Sequence, residues 1–278
     1  DQYLAQAGLD RGVRRWLVGQ VLGRLREWDR ASSARVNHFV ASSHHVAARI
    51  QRAYGRESTV IYPPVKVAPA PESAPAPAST AAARGNARRT AGEPSSPLEP
   101  FYVTVSQLVP YKRVDLIVEA FRSLPGRRLV VIGDGPARER ICALAGPNVR
   151  IAGRVPDDER DRLLARATAF VFAAEEDFGI APLEAQARGT PVIALGRGGA
   201  LETIRGLDDA SPTGVLFSEQ SAAAIVEAVR TFEAHRDGID AAACASNALR
   251  FSAARFRDEF GSFVRARLSE FTESRAAA

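Results

Sequence analysis

The sequence predicts an α/β protein whose parallel β-sheet is covered by helices on both faces. Six short apolar segments recur along residues 101–217, and amphipathic segments separate them. The apolar segments are continuous and do not alternate with polar residues, which is typical of strands buried on both faces. The predicted strands are 101–106, 128–133, 149–153, 168–173, 191–195 and 213–217.

Helices are predicted between these strands and after the last of them. The connecting helices are 113–121, 137–145, 157–165, 182–188 and, from a weaker pattern, 200–205. Three more helices close the chain, including a long one around 253–273. Because ligands of such folds bind at the carboxyl ends of the strands, we expect the functional residues in the loops that follow the strands.

The front of the chain has the pattern of the end of another α/β domain. Its predicted elements are a strand at 38–42, a helix at 44–54 and a strand at 58–62. Ser42 or Ser43 is expected to cap the helix, and Pro63-Pro64 ends the second strand.

An earlier helix, 14–30, carries Leu17, Val21, Leu25 and Trp28 on one face and arginines on the others. One interpretation is a helix that packs on a domain core. The other is a helix that lies at an anionic membrane surface.

Segment 66–100 separates the two regions and contains seven of the chain's seventeen prolines. It has almost no large apolar side chains, so it cannot bury enough surface to offset the entropy of ordering it. We therefore expect a flexible linker or insertion here.

The composition excludes several classes of protein. No run approaches the roughly 18 apolar residues of a membrane-spanning helix. The two cysteines, Cys142 and Cys244, lack metal-ligand spacing, so a reducing cytoplasm is expected and no metal site is predicted. A net charge of +5 is compatible with phosphate or an anionic surface as partner, and it does not by itself indicate nucleic acid. The chain also contains no methionine, so we expect an incomplete or processed polypeptide.

Two strand ends carry weaker signals for phosphate binding. Lys112 follows the first strand and precedes a helix. A lysine at this position can bind a diphosphate, or it can simply be exposed to solvent. The second strand ends in GDGP, in which Gly133 and Gly135 permit either a structural turn or the close approach of a ligand. Neither a GxGxxG motif nor a P-loop is present, which argues against dinucleotide oxidoreductases and P-loop NTPases.

The fourth strand ends in AEEDFGIAPLEAQ, which contains two carboxylates, Glu176 and Glu184, around a Phe178-Gly179 turn. Amide groups at 179–181 can hold phosphate oxygens. Glu184 is expected early in the next helix, where a carboxylate also simply favours the helix dipole. Two such carboxylates suit vicinal hydroxyls, one set on a sugar and the other on a ribose.

Together, VSQLVPYKRVDLIVEAF, VVIGDGP and EEDFGIAPLEAQARGTPVIALGRGGALE resemble glycosyltransferase family 4, which has the GT-B fold of two Rossmann-like domains. Within that family, the sequences of these motifs are most similar to those of bacterial O-antigen and exopolysaccharide mannosyltransferases. The resemblance implies four regions: the C-terminal part of an incomplete acceptor-side domain at 1–65, the linker at 66–100, a donor-binding Rossmann-like domain with a doubly wound parallel sheet at 101–252, and a helix at 253–278 that crosses back to the first domain.

The resemblance also implies roles for individual residues. Lys112 would bind the donor diphosphate, Glu176 would contact hydroxyls of the transferred sugar, and Glu184 would hold the ribose. Lys112 and Glu176 are thus the expected catalytic residues. The other expected donor-binding residues are Gln107, Gly133, Asp134, Gly135, Arg154, Val155, Phe178, Gly179, Ile180 and Ala181.

Two departures from the family pattern stand out. Gln107 occupies the position where the family usually has an arginine that clamps the diphosphate, and Arg113 is a candidate substitute. The Gly-rich loop and the histidine of the acceptor-side domain have no counterpart in this sequence. We therefore expect donor-site residues to be present and acceptor-site residues to be largely missing.

The resemblance predicts a retaining, metal-independent glycosyltransferase with no cofactor beyond its nucleotide-sugar substrate. The expected donor is GDP-mannose, and the expected acceptor is a lipid-linked or growing glycan. The protein would be cytoplasmic, with peripheral association at the inner membrane face and no nucleic-acid partner. Two alternatives stay open: a non-catalytic nucleotide-sugar-binding module, and another GT-B enzyme such as a nucleotide-sugar epimerase.

Overall fold

The computed structural model describes residues 12–66 and 100–276. Its two β-sheets are a two-stranded sheet near the front of the chain and a six-stranded sheet further on. Almost all of the predicted linker, 66–100, lies outside the described residues.

The six-stranded sheet is parallel throughout, and it contains all six predicted strands. The strands are β3 (Phe101–Val105), β4 (Arg128–Ile132), β5 (Val149–Gly153), β6 (Ala169–Phe172), β7 (Val192–Leu195) and β8 (Gly214–Phe217). Their spatial order is β5-β4-β3-β6-β7-β8. The central pairs are β3 with β4 and β3 with β6, in which Tyr102 lies opposite Leu129 and Ala169 respectively.

This order is that of a doubly wound Rossmann-like sheet, so the predicted fold class is confirmed. The chain first adds strands on one side of β3 and then returns to add β6 on the other side. A crevice forms at such a reversal because the connections leave β3 and β6 in opposite directions. The carboxyl ends of β3 and β6 therefore locate the candidate site.

Helices cover both faces of the sheet, as the continuous apolar strands predict. The helices of this region are α3 (Val114–Arg122), α4 (Arg138–Leu144), α5 (Asp157–Arg166), α6 (Ile180–Gln186), α7 (Ala200–Thr203), α8 (Ala222–His235), α9 (Ala241–Leu249) and α10 (Ala253–Ala276). On one face, Phe121 of α3 and Phe232 of α8 are fully buried in a core with the inward side chains of the strands. On the other face, Leu164 of α5 and Ala185 of α6 pack on Phe170 and its neighbours.

The front region comprises α1 (Gly12–Ser33), β1 (Phe39–Ala41), α2 (His44–Tyr54) and β2 (Ser58–Val60). The two strands are parallel, and α2 connects them. Ser43 caps α2 by accepting a hydrogen bond from the amide of Val46, which decides between the two predicted caps. Arg255 of α10 donates to the carbonyl of Tyr62, and Phe263 contacts His38, so the last helix lies against this front region.

The apolar face of α1 is exposed, contrary to the interpretation that it packs on a core. Leu17, Val21 and Leu25 are 52–58% exposed, and Trp16 and Trp28 are 64% and 65% exposed. The helix contacts α2 near its own C-terminal end, where the hydroxyl of Tyr54 donates to the carboxylate of Asp29. Within the described residues, therefore, nothing covers the predicted apolar face.

Candidate active site

A cleft of about 910 Å³ opens at the carboxyl ends of β3, β4 and β6. The loops after these strands contribute one wall, and the front region contributes another. Eleven of the thirteen predicted site residues line it: Gln107, Lys112, Gly133, Asp134, Arg154, Glu176, Phe178, Gly179, Ile180, Ala181 and Glu184. Segments that are far apart in sequence thus meet at the place that the sheet order indicates.

Lys112 enters the cleft from a single 3₁₀ turn, Pro110–Lys112, between β3 and α3. Its ammonium group contacts the carboxylate of Glu176, and each side chain is 19% exposed. The ammonium also lies 5.2 Å from the centre of the Tyr111 ring. Burial lowers the pKa of Lys112 from its usual value, because desolvation disfavours the charged ammonium. The two expected catalytic side chains are therefore paired with each other across the cleft.

The loop that carries Glu176 is held in place by a backbone hydrogen bond to Gly199. The carbonyl of Glu176 accepts a hydrogen bond from the amide of Gly199 at 2.8 Å. A side chain at position 199 would bring its Cβ within 2.4 Å of the Phe178 Cα atom, so only glycine permits this approach. Phe178 buries its ring in a cluster with Leu183 and Phe251. The Glu176–Gly179 turn is thus held in place by both a backbone hydrogen bond and apolar packing.

Glu184 lies in the second turn of α6, and the expected first-turn position is wrong. The helix begins at Ile180 directly after Gly179, whose φ of 92° is left-handed, and its first turn has no acidic residue. The dipole of the helix end therefore does not account for this carboxylate. Within the described residues no group donates a hydrogen bond to it, and Arg160 attracts it electrostatically. Its oxygens are available to a ligand in the cleft.

The GDGP turn packs on the protein backbone. A side chain on Gly133 would place its Cβ 1.8 Å from the carbonyl oxygen of Ser106. Gly133 and Asp134 still line the cleft, whereas Gly135 and Val155 do not. Gly135 lies against Leu108, and Val155 packs on the core beside α5. These two residues were expected at the nucleotide pocket, and the structure places them behind it.

Arg113 does not replace the family arginine that Gln107 lacks. Its backbone has a left-handed φ of 52°, and its guanidinium pairs with Asp115 and donates to Gln220, both at 3.3 Å. Arg113 therefore lies outside the residues that line the cleft. Arg154 does line it, and no hydrogen bond or ion pair engages its guanidinium within the described residues. Arg154 is thus the available second cation.

The sequence reasoning missed several residues of the cleft. Tyr111, Glu175 and Asp177 are neighbours of predicted residues, so the same motifs contained the signal. Ser42 and Pro63 come from the front region, and no motif marked them. Only the fold brings these two residues to the cleft.

Within residues 12–66 and 100–276, no group of three or more histidine, cysteine, aspartate or glutamate side chains is placed to hold a metal ion. No helix in the same ranges has both the length and the apolar character needed to cross a bilayer.

A family model described as "Glycosyl transferases group 1" matches residues 90–251, which is more than half of the chain. The match includes β3 to β8 and every residue of the cleft except Ser42 and Pro63. It therefore covers the Lys112 turn, the GDGP turn and the segment from Glu176 to Glu184.

Two curated relatives and one solved structure are similar to the chain. Sulfoquinovosyl transferase SQD2 of Arabidopsis thaliana is 32% identical over 52% of the chain and 28% of its own length. The GDP-mannose-dependent alpha-(1-6)-phosphatidylinositol monomannoside mannosyltransferase of Mycobacterium tuberculosis is 34% identical over 50% of the chain and 39% of its own length. The chain thus spans well under half the length of these relatives.

The solved structure is that of Anabaena Alr3699/HepE in complex with UDP and glucose. It superposes with a TM-score of 0.61 at 19% identity, over 83% of this chain and 63% of that one. At this identity the superposition supports the fold alone.

Proposed function

The chain belongs to the glycosyl transferases group 1 family, and we propose that it binds the nucleotide-sugar donor of a retaining hexosyltransferase. The fold is of the GT-B type, with a Rossmann-like sheet. The observation that carries the proposal is the meeting of Lys112, Glu176 and Glu184 in one cleft at the carboxyl ends of β3 and β6. A cation and two carboxylates suit a ligand that joins a diphosphate to two hydroxyl-bearing rings.

Each side chain has a part in this proposal. Lys112 and Arg154 offset the negative charge of the diphosphate as it leaves the sugar, so no metal ion is required for that purpose. Glu176 accepts hydrogen bonds from the hydroxyls of the transferred hexose, and Glu184 accepts them from the ribose. The anomeric configuration is retained, as the resemblance to glycosyltransferase family 4 implies.

We take GDP-mannose as the donor and a lipid-linked or growing glycan as the acceptor. Support comes from the relative of Mycobacterium tuberculosis, whose name specifies GDP-mannose and a phosphatidylinositol mannoside. The resemblance to O-antigen and exopolysaccharide enzymes points the same way. HepE was solved with UDP and glucose, which makes UDP-glucose the appropriate competitor in a test.

Calorimetric titration of the chain with GDP-mannose and with UDP-glucose tests the proposal. Tighter binding of GDP-mannose is the expected result, whereas no binding of either donor would refute it. A product assay separates the two alternatives. A free epimerised sugar nucleotide would indicate an epimerase, and donor binding without transfer to any glycan or lipid acceptor would indicate a non-catalytic module.

Replacing Glu184 with alanine is expected to weaken donor binding by about ten- to hundredfold, because loss of charged hydrogen bonds to a ligand costs about 1.5–3 kcal/mol. The measurement is the dissociation constant of GDP-mannose by calorimetry. Glu119→Ala is the matched control, because Glu119 is an exposed helical glutamate outside the cleft. The proposed role of Glu184 is wrong if both variants bind the donor as the wild type does.

We also propose that α1 holds the protein at an anionic membrane surface, where a lipid-linked acceptor would be found. The support is the exposed apolar face of α1 together with its exposed arginines, Arg15, Arg24, Arg26 and Arg30. An apolar face bordered by cations fits the interface of an anionic bilayer.

Trp16 and Trp28 are the only two tryptophans of the chain, and both lie on the exposed surface of α1. Vesicles of phosphatidylglycerol are expected to shift their fluorescence to shorter wavelength, whereas vesicles of phosphatidylcholine should not. The double variant Arg24→Glu/Arg26→Glu should abolish the shift. An equal response to both kinds of vesicle would contradict the electrostatic part of the proposal, and no response to either would contradict all of it.

A further inference from the structure

Glu202 joins the donor-binding domain to the front region of the chain. It lies in the short helix α7, and its side chain reaches residues more than 130 positions earlier. One carboxylate oxygen accepts from the amide of His45 at 2.9 Å. The other accepts from the amide of His44 at 2.9 Å and from the hydroxyl of Tyr62 at 3.0 Å.

The carboxylate thus sits at the N-terminus of α2, where it meets two unpaired amides and the positive end of the helix dipole. Hydrogen bonds of this kind, with one charged partner, are stronger than those between neutral groups. Ser43 caps a different amide of the same helix end, that of Val46. Glu202 therefore completes the cap of α2 from another domain.

Three other contacts hold the two parts in the same arrangement. The guanidinium of Arg49 on α2 makes two hydrogen bonds of 2.8 Å with Asp177, the residue after Glu176. The ring of Tyr62 stacks on Phe178 with centroids 5.8 Å apart and packs edge-on against Phe251. The front region is therefore docked on α7 and on the loop that carries Glu176.

These contacts set the position of the cleft wall that the front region provides. Ser42 and Pro63 line the same cleft as Lys112. Ser42 precedes the two amides that Glu202 binds, and Pro63 directly follows Tyr62. We infer that Glu202 is a positioning residue for the donor site: it touches no part of the cleft itself, and it fixes the distance of both front-region segments from the donor.

This inference rests on the proposed function, because it concerns the affinity of the same cleft for its donor. The variants are Glu202→Ala, which removes every acceptor, and Glu202→Gln, which keeps one neutral acceptor oxygen. Glu119→Ala is the matched control, since Glu119 is an exposed helical glutamate of the same domain. The measurements are the dissociation constant of GDP-mannose, amide hydrogen exchange at residues 42–54 and the unfolding temperature.

We expect Glu202→Ala to weaken GDP-mannose binding about five- to tenfold and to speed exchange of the His44 and His45 amides. Glu202→Gln should restore part of the affinity, and Glu119→Ala should match the wild type. A lower unfolding temperature or faster exchange with unchanged affinity would overturn the inference, since Glu202 would then only stabilise α2. Absence of donor binding by the wild type would instead overturn the proposed function and this inference with it.

Discussion

Replacing Lys112 with alanine is expected to weaken the binding of GDP by at least about tenfold and to lower donor turnover by about 100-fold or more. The side chain is four-fifths buried, and it presents its ammonium to the cleft beside Glu176. No other lysine can take its place, because the chain has only one more, Lys66. Its loss would also leave the Glu176 carboxylate without its partner, which adds repulsion toward the phosphates.

Calorimetry with GDP measures the first effect, and release of GDP from GDP-mannose measures the second. Lys66→Ala removes the same charge from an exposed position and should leave both values unchanged. Lys112→Arg keeps the charge in a longer, planar group, so we expect partial recovery of GDP binding and little recovery of turnover. The role of Lys112 as the diphosphate ligand is refuted if Lys112→Ala binds GDP as the wild type does.

The strands and most helices of residues 101–252 could be predicted because their signal is local. A continuous apolar run such as TAFVFA has few ways to be buried other than as a central strand. Once six such strands alternate with helices, the carboxyl ends of the strands indicate the site. Lys112, Glu176 and Glu184 could therefore be predicted to lie near the carboxyl ends of the strands without any contact information.

The remaining features depend on contacts between distant segments. Whether the glycines of GDGP approach a ligand or another loop depends on where residues 106–108 run, and the structure places those residues directly against Gly133 and Gly135. The direction of the Arg113 side chain is set by Asp115 and by Gln220, which lies over a hundred residues away. Glu202 likewise contacts α2, which lies more than a hundred residues earlier in the chain. Nothing in the segment GRGGALE shows whether its glutamate caps a distant helix or is exposed on the surface.

The apolar pattern of α1 shows what sequence periodicity cannot predict. Periodicity correctly predicts a helix with one apolar face, since Leu17, Val21 and Leu25 share a side of it. Periodicity does not say what covers that face, and a protein core and a lipid surface select the same residues. Within the described residues the face is exposed, so it is exposure, and not the pattern, that argues against packing on a protein core.

Replacing Glu176 with glutamine is expected to have opposite effects on GDP binding and on turnover. Glu176 and a diphosphate would compete for the same ammonium group, because the carboxylate contacts the ammonium of Lys112. The neutral amide competes less, so GDP should bind about threefold more tightly, which corresponds to about 0.6 kcal/mol. Turnover should fall about 100-fold, because the carboxylate that would hold the hydroxyls of the hexose is lost.

Calorimetry with GDP and the rate of GDP release from GDP-mannose measure the two effects in the same preparation. Glu175→Gln is the control, because it removes a negative charge from the neighbouring, exposed position in the cleft. If the gain in GDP affinity came only from the lower negative charge of the cleft, both variants would show it equally. Weaker GDP binding in Glu176→Gln would mean that Glu176 orients Lys112 toward the phosphates, and that the two groups do not compete. Competition for Lys112 predicts that Glu176→Gln binds GDP more tightly, whereas orientation of Lys112 by Glu176 predicts weaker binding. The sign of the change in GDP affinity therefore decides between the two roles of Glu176.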